Sequence, residues 1–95
     1  MPSFKESQTN RLSAELDATL VAETADDIVE LIEENRPGFR PGAWLRPWKL
    51  ATPDFSEATL EAALRIVARR NYVVIRHTDS GSLFAEVLPR ERWDI

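Results

Sequence analysis

Apolar residues recur at helical spacing in three stretches of the chain and cluster in two β-rich runs near its end. Leu12, Leu16 and Leu20 stand four apart, which predicts a helix over about 10–22. The β-branched Thr19–Leu20–Val21 leaves a short strand open there, and the polar first ten residues are expected to be mobile. In the second stretch Ala25, Ile28, Val29 and Ile32 share one face, Leu31 flanks it, and Glu30, Glu33 and Glu34 take the other side. Thr24 reads as the N-cap, with Asp26 and Asp27 placed where a helix dipole favours negative charge. Asn35 closes this helix and Pro37–Gly38 prevents its continuation.

Residues 36–55 hold Pro37, Pro41, Pro47 and Pro53, with turns at the two Pro–Gly pairs. Pro47 suits the first turn of a short helix over about 47–52, because that position needs no N–H donor, and Pro53 stops it. Ser56 then caps a helix over 57–70 whose core stripe is Leu60, Ala63, Leu64 and Val67. Asn71 suits the left-handed turn that ends it. The runs YVVIRHT and SLFAEVL meet across Asp79–Ser80–Gly81 as a hairpin over 72–88. Leu60, Leu64 and Val67 are expected to pack on Ile28, Val29 and Ile32, with Tyr72, Val74 and Phe84 beneath. Trp93 is expected to fold back from the tail.

Helix, turn with an extended stretch, short helix, longer helix and hairpin is the order of a winged helix-turn-helix. The residues resemble the DNA-binding domain of GntR-type transcription regulators over roughly 25–88. Pro41–Gly42, Leu45 and Leu50–Ala51 match that family around its second helix. Ser56, Thr59, Ala63 and Leu64 match its recognition helix, and Asn71, Tyr72–Val73 and Gly81 its wing. The resemblance implies an α+β fold of three helices and a two-stranded C-terminal wing, with an extra N-terminal helix. It divides the chain into an extension, 1–23, helical from about 10, and a winged-helix domain, 24–95. The departures lie on contact positions: Glu57 and Glu61 replace the family's arginines, and the second helix is one residue short, with Lys49 near the usual Arg.

Composition narrows the chemistry. The chain has 95 residues, 43% hydrophobic and 29% charged, which suits one folded domain. Cysteine is absent, so disulfides, thiol nucleophiles and Cys-based zinc sites are excluded. His77 is the single histidine, and no nucleophile elbow, phosphate loop or metal-ligand spacing appears. The reading is therefore non-enzymatic, without metal or cofactor. No apolar run is long enough to span a membrane, and MPSFKESQTN lacks a signal-peptide core, which leads to a cytoplasmic expectation.

Charge is uneven. Residues 1–35 carry nine acidic and two basic side chains, whereas 36–50 carry Arg36, Arg40, Arg46 and Lys49 and no acid. The net charge of −4 gives no general attraction to nucleic acid, so binding there needs a local patch. The candidate DNA- or partner-contacting residues are Arg40, Arg46, Trp48, Lys49, Ser56, Glu57, Ala58, Glu61, Arg65, Arg69, Arg76 and His77. Each has a plainer reading. Glu57 and Glu61 serve the helix dipole and an i,i+4 pair with Arg65; Ala58, Ala62 and Ile66 are surface scatter. Phe39, Trp44 and Trp48, interleaved with the basic residues, either stack on a ligand or complete a core. Leu12, Leu16 and Leu20 either pack on the body or join two copies through residues 10–22. Two functions stay open: a small regulator binding double-stranded DNA through helix 57–70 and wing 72–88, or a winged helix used for protein contact, such as a phage- or plasmid-type inhibitor or adaptor.

Overall fold

The computed structural model describes residues 17–93. Its first helix, α1, is Ala18–Glu33, and its N-cap is Asp17, whose Oδ1 accepts from the Thr19 N–H at 2.9 Å. Thr24 is therefore not a cap. It lies buried inside α1, and its hydroxyl donates to the Leu20 carbonyl one turn back, 2.7 Å away. One helix crosses the expected boundary at 23/24. Leu12 and Leu16, and most of the segment proposed to join two copies, lie outside the described residues; Leu20 is half-buried on α1. Asn35, at φ 58°, ends α1 in the left-handed conformation.

The chain then forms a two-residue strand, β1 (Trp44–Leu45), a short helix, α2 (Pro47–Leu50), and a long one, α3 (Glu57–Arg69). Pro47 opens α2 as expected. Ser56 caps α3, its Oγ accepting from the Thr59 N–H at 3.1 Å. Asn71, at φ 64°, turns the chain into β2 (Val73–His77) and β3 (Leu83–Val87). The link between them closes with Thr78 N–H on the Ser82 carbonyl and Gly81 N–H on the Thr78 carbonyl, both 2.9 Å. Gly81 has φ 92°, which its missing Cβ permits.

The described residues form an α+β fold, with three α-helices and an antiparallel sheet of three strands in the order β1–β3–β2. The expected two-stranded wing gains a third strand: Trp44 pairs with Glu86 and Leu45 with Ala85. A two-residue strand between prolines shows no alternation to read, and its partner lies some 40 residues away.

α1 packs its apolar face on α3, and α3 in turn packs on one side of the sheet, so that all three share one core. Ile28, Val29, Ile32, Leu60, Leu64 and Val67 are all buried, as their spacing predicts. From the sheet come Leu45, Val73, Leu83, Ala85 and Val87. Val74 and Phe84 do not lie beneath α3. Side chains alternate along a strand, and the register places Val73 and Ala85 inward, which turns Val74 and Phe84 outward. Phe84 is nevertheless buried, stacked at 4.9 Å under Trp44, which remains 56% exposed on that outer face.

Trp93 does fold back. It is buried, its Nε1–H donates to the Leu88 carbonyl at 2.9 Å, and its ring stacks on Tyr72 at 5.0 Å. Arg90 lies over the Trp93 ring, 4.7 Å from its centroid, and donates to the Glu33 carbonyl, so the tail closes the C-terminal end of α1.

Candidate functional site

The predicted contact residues fall on three elements. On α3 the buried side is Thr59, Leu60, Ala63, Leu64 and Val67. At about 100° per residue, the opposite face carries Ala58, Ala62, Arg65 and Arg69. Ala58, Arg65 and Arg69 are exposed and Ala62 is half-buried. Glu57 lies on the flank beside Ala68, whereas Glu61 borders the outward face about as closely as Ala62 does. The helix thus presents two guanidiniums and two methyl groups outward, with the Glu61 carboxylate at their border and Glu57 to one side. Ser56 is occupied as the cap, with its Oγ also 2.9 Å from the Thr59 hydroxyl.

The i,i+4 pair of Glu61 with Arg65 does not form. Ion pairs among the described residues are Arg36–Glu34, Arg70–Asp26 and Arg76–Glu86. Glu57 keeps its favourable place in the first turn of α3. Ala62 and Ile66 are half-buried against the core margin, so the second apolar stripe is only partly surface.

The basic loop does not converge into one patch. Arg40 Nε donates to the Asn35 carbonyl at 3.0 Å, which ties the loop back to the end of α1. Arg46 is half-buried and forms the N-cap position of α2, where no side-chain cap bond is made. Trp48, 39% exposed, and Lys49 lie on α2, which packs against α3. The aromatics divide in the same way: Phe39 packs against the core, Trp48 stays on α2 and Trp44 lies on the outer face of the sheet. On the hairpin, Arg76 Nε donates to Glu86 Oε1 at 2.8 Å, so its charge is shared, while His77 is exposed beside Leu83.

Two features were not anticipated from the sequence. Trp44 and Phe84 form an outward aromatic pair, legible only once strand parity is fixed by the register of β1 on β3. A hollow of about 260 Å³ also opens between α1 and the residues around α2, lined by Ile28, Leu31, Phe39, Leu50, Phe55 and Leu60 among others. Among the described residues no cluster of His, Asp or Glu is arranged to hold a metal ion, and no helix is long and apolar enough to cross a membrane. The chain matches no family model, no curated protein and no solved structure.

Proposed function

We propose that the chain is a small, non-enzymatic winged-helix regulator that binds double-stranded DNA in the cytoplasm. On this reading α2 and α3 are the helix-turn-helix, α3 is the recognition helix, and the β2–β3 hairpin is the wing. The order of elements and the strand order β1–β3–β2 support it, together with the resemblance of residues 25–88 to GntR-type domains. The observation that carries it is the outward face of α3. An α-helix about 10–12 Å across enters a major groove about 12 Å wide, and Ala58 and Ala62 let the backbone approach closely. Arg65 and Arg69, one turn apart on that face, supply donors to phosphates or guanine edges. Arg76 and His77 stand on the wing for backbone contact.

Magnitudes set the expected strength. The net charge of −4 opposes the polyanion, and Glu57 and Glu61 flank the contact. Binding is therefore salt-sensitive and near the range of about 10⁻⁴ to 10⁻⁶ M for non-specific complexes, unless a second copy joined through residues 10–22 adds contacts. Duplex affinity measured at about 50 and 200 mM salt tests this. Arg65→Ala with Arg69→Ala should weaken binding and flatten the salt slope by about 2, near 0.9 per lost phosphate contact. Glu57→Arg with Glu61→Arg should strengthen it. No binding by the parent chain at the lower salt removes the DNA reading.

A second reading, a winged helix used for protein contact, is favoured by those same two glutamates. Replacing them by arginine would then abolish a complex with a basic partner and leave duplex binding undetected.

A further inference from the structure

Among the described residues β2 is an edge strand, because the sheet order β1–β3–β2 gives it one neighbour. Its hydrogen-bonding parity follows from the bonds at its two ends. Leu88 N–H donates to the Tyr72 carbonyl, and Thr78 N–H to the Ser82 carbonyl, both at 2.9 Å. In an antiparallel ladder alternate residues bond the neighbour. Tyr72, Val74, Arg76 and Thr78 therefore face β3, and the main-chain groups of Val73, Ile75 and His77 face away from it. Val73 is 2% exposed, which seals its groups from a ligand, but Ile75 is half-buried and His77 exposed. Among the described residues no hydrogen bond from another element reaches the main chain of Ile75 or His77. Beside this edge lies a groove of about 400 Å³ between the end of α3 (Ala68, Asn71), β2 (Ile75, Arg76), Leu88 and Arg92. Among the described residues its lining carries two guanidiniums and no carboxylate.

We propose that the free edge of β2 docks an extended acidic segment of a partner protein as a fourth strand. The N–H and carbonyl of Ile75 and His77 supply up to four main-chain hydrogen bonds, the mode by which sheet edges take up peptides. An apolar residue of the segment fills the groove over Ala68 and Ile75. Its acidic residues meet Arg92 and Arg76, the latter already shared with Glu86. A second copy of β2 fits poorly here. Antiparallel pairing about Ile75 would offer Val, Ile, Arg and His and no acid, and would bring Arg76 and Arg92 towards their twins. The site stands apart from the outward face of α3 but shares Arg76 and His77 with the wing contacts of the DNA reading; peptide binding needs no duplex, so it is tested separately.

The test uses the full isotopically labelled chain and two blocked octapeptides, one alternating valine with glutamate and one alternating valine with lysine. The acidic peptide should slow amide exchange at Ile75 and His77 at least tenfold, and leave Val74 and Arg76, already bonded to β3, unchanged. The basic peptide should not bind. Arg92→Glu, at an exposed position, should weaken the acidic peptide about tenfold and admit the basic one. Equal binding of both peptides, no slowing at Ile75 and His77, or an Arg92→Glu variant that binds like the parent would overturn the proposal. So would full protection of both amides in the chain alone, which would mean that the edge is already covered.

Discussion

Tyr72 shows how much of this fold rests on single side chains reaching across the sequence. Its hydroxyl donates to Glu33 Oε2 at 2.7 Å, 39 residues earlier, and its ring lies buried against Trp93. Burial, followed by the hydrogen bond to the Glu33 carboxylate, pushes its pKa from 10.0 up to about 12. The folded state holds this proton more tightly than the unfolded chain, so between about pH 10 and 12 only the unfolded chain has lost it. Stability from this residue is complete below about pH 10 and falls as pH rises through about 12. Tyr72→Phe should therefore flatten the alkaline decline seen in denaturant titrations, and cost about 1.5–3 kcal/mol near neutrality as a lost bond to a charged acceptor. Leu64 is the simpler case. It has 0% exposure between α1 and α3, and Leu64→Ala should cost about 2–5 kcal/mol in chemical unfolding. The burial of Leu64 was legible from helical spacing alone. The partner of Tyr72 was not, because no local pattern links position 72 to position 33.

At the scale of elements, the chain's own signals were readable where they are local and failed where two local signals compete. Ser56 caps α3 as read, and Ser56→Ala should cost about 0.5–2 kcal/mol in thermal or denaturant unfolding. Asn35 and Asn71 take the left-handed turns expected after the two helices. Thr24 followed by two aspartates imitates a helix start, yet Asp17 caps a helix that runs straight through it. The Thr24 hydroxyl is satisfied inside the helix by Leu20, so burial there carries no unpaired polar group. Asp17→Ala should fray the first turn of α1, visible as faster amide exchange at Thr19 and Leu20, while Thr24→Ala leaves that turn intact. The sheet was half legible. The hairpin follows from its turn and β-rich flanks, but the inward parity of Val73 over Val74 depends on a register with β3 that composition does not state.

For the whole molecule, the residues singled out as contacts lie on several elements and do not form one surface. Arg40 is drawn to Asn35, Arg76 to Glu86, and Trp44 to the outer face of the sheet, so the basic and aromatic residues divide among separate faces. What stays together is the outward face of α3, where Arg65 and Arg69 share a side with Ala58 and Ala62, Glu61 stands at the border and Glu57 on the flank. The proposed function requires α3 and the hairpin to meet duplex DNA together. Amide shifts of the labelled full chain, recorded while a short duplex is added at about 50 mM salt, test this most directly. The expected result is shifts concentrated in 57–69 and around 76–83 that fade at higher salt. Shifts confined to the outer sheet face around Trp44, or no shifts at the lower salt, would contradict it.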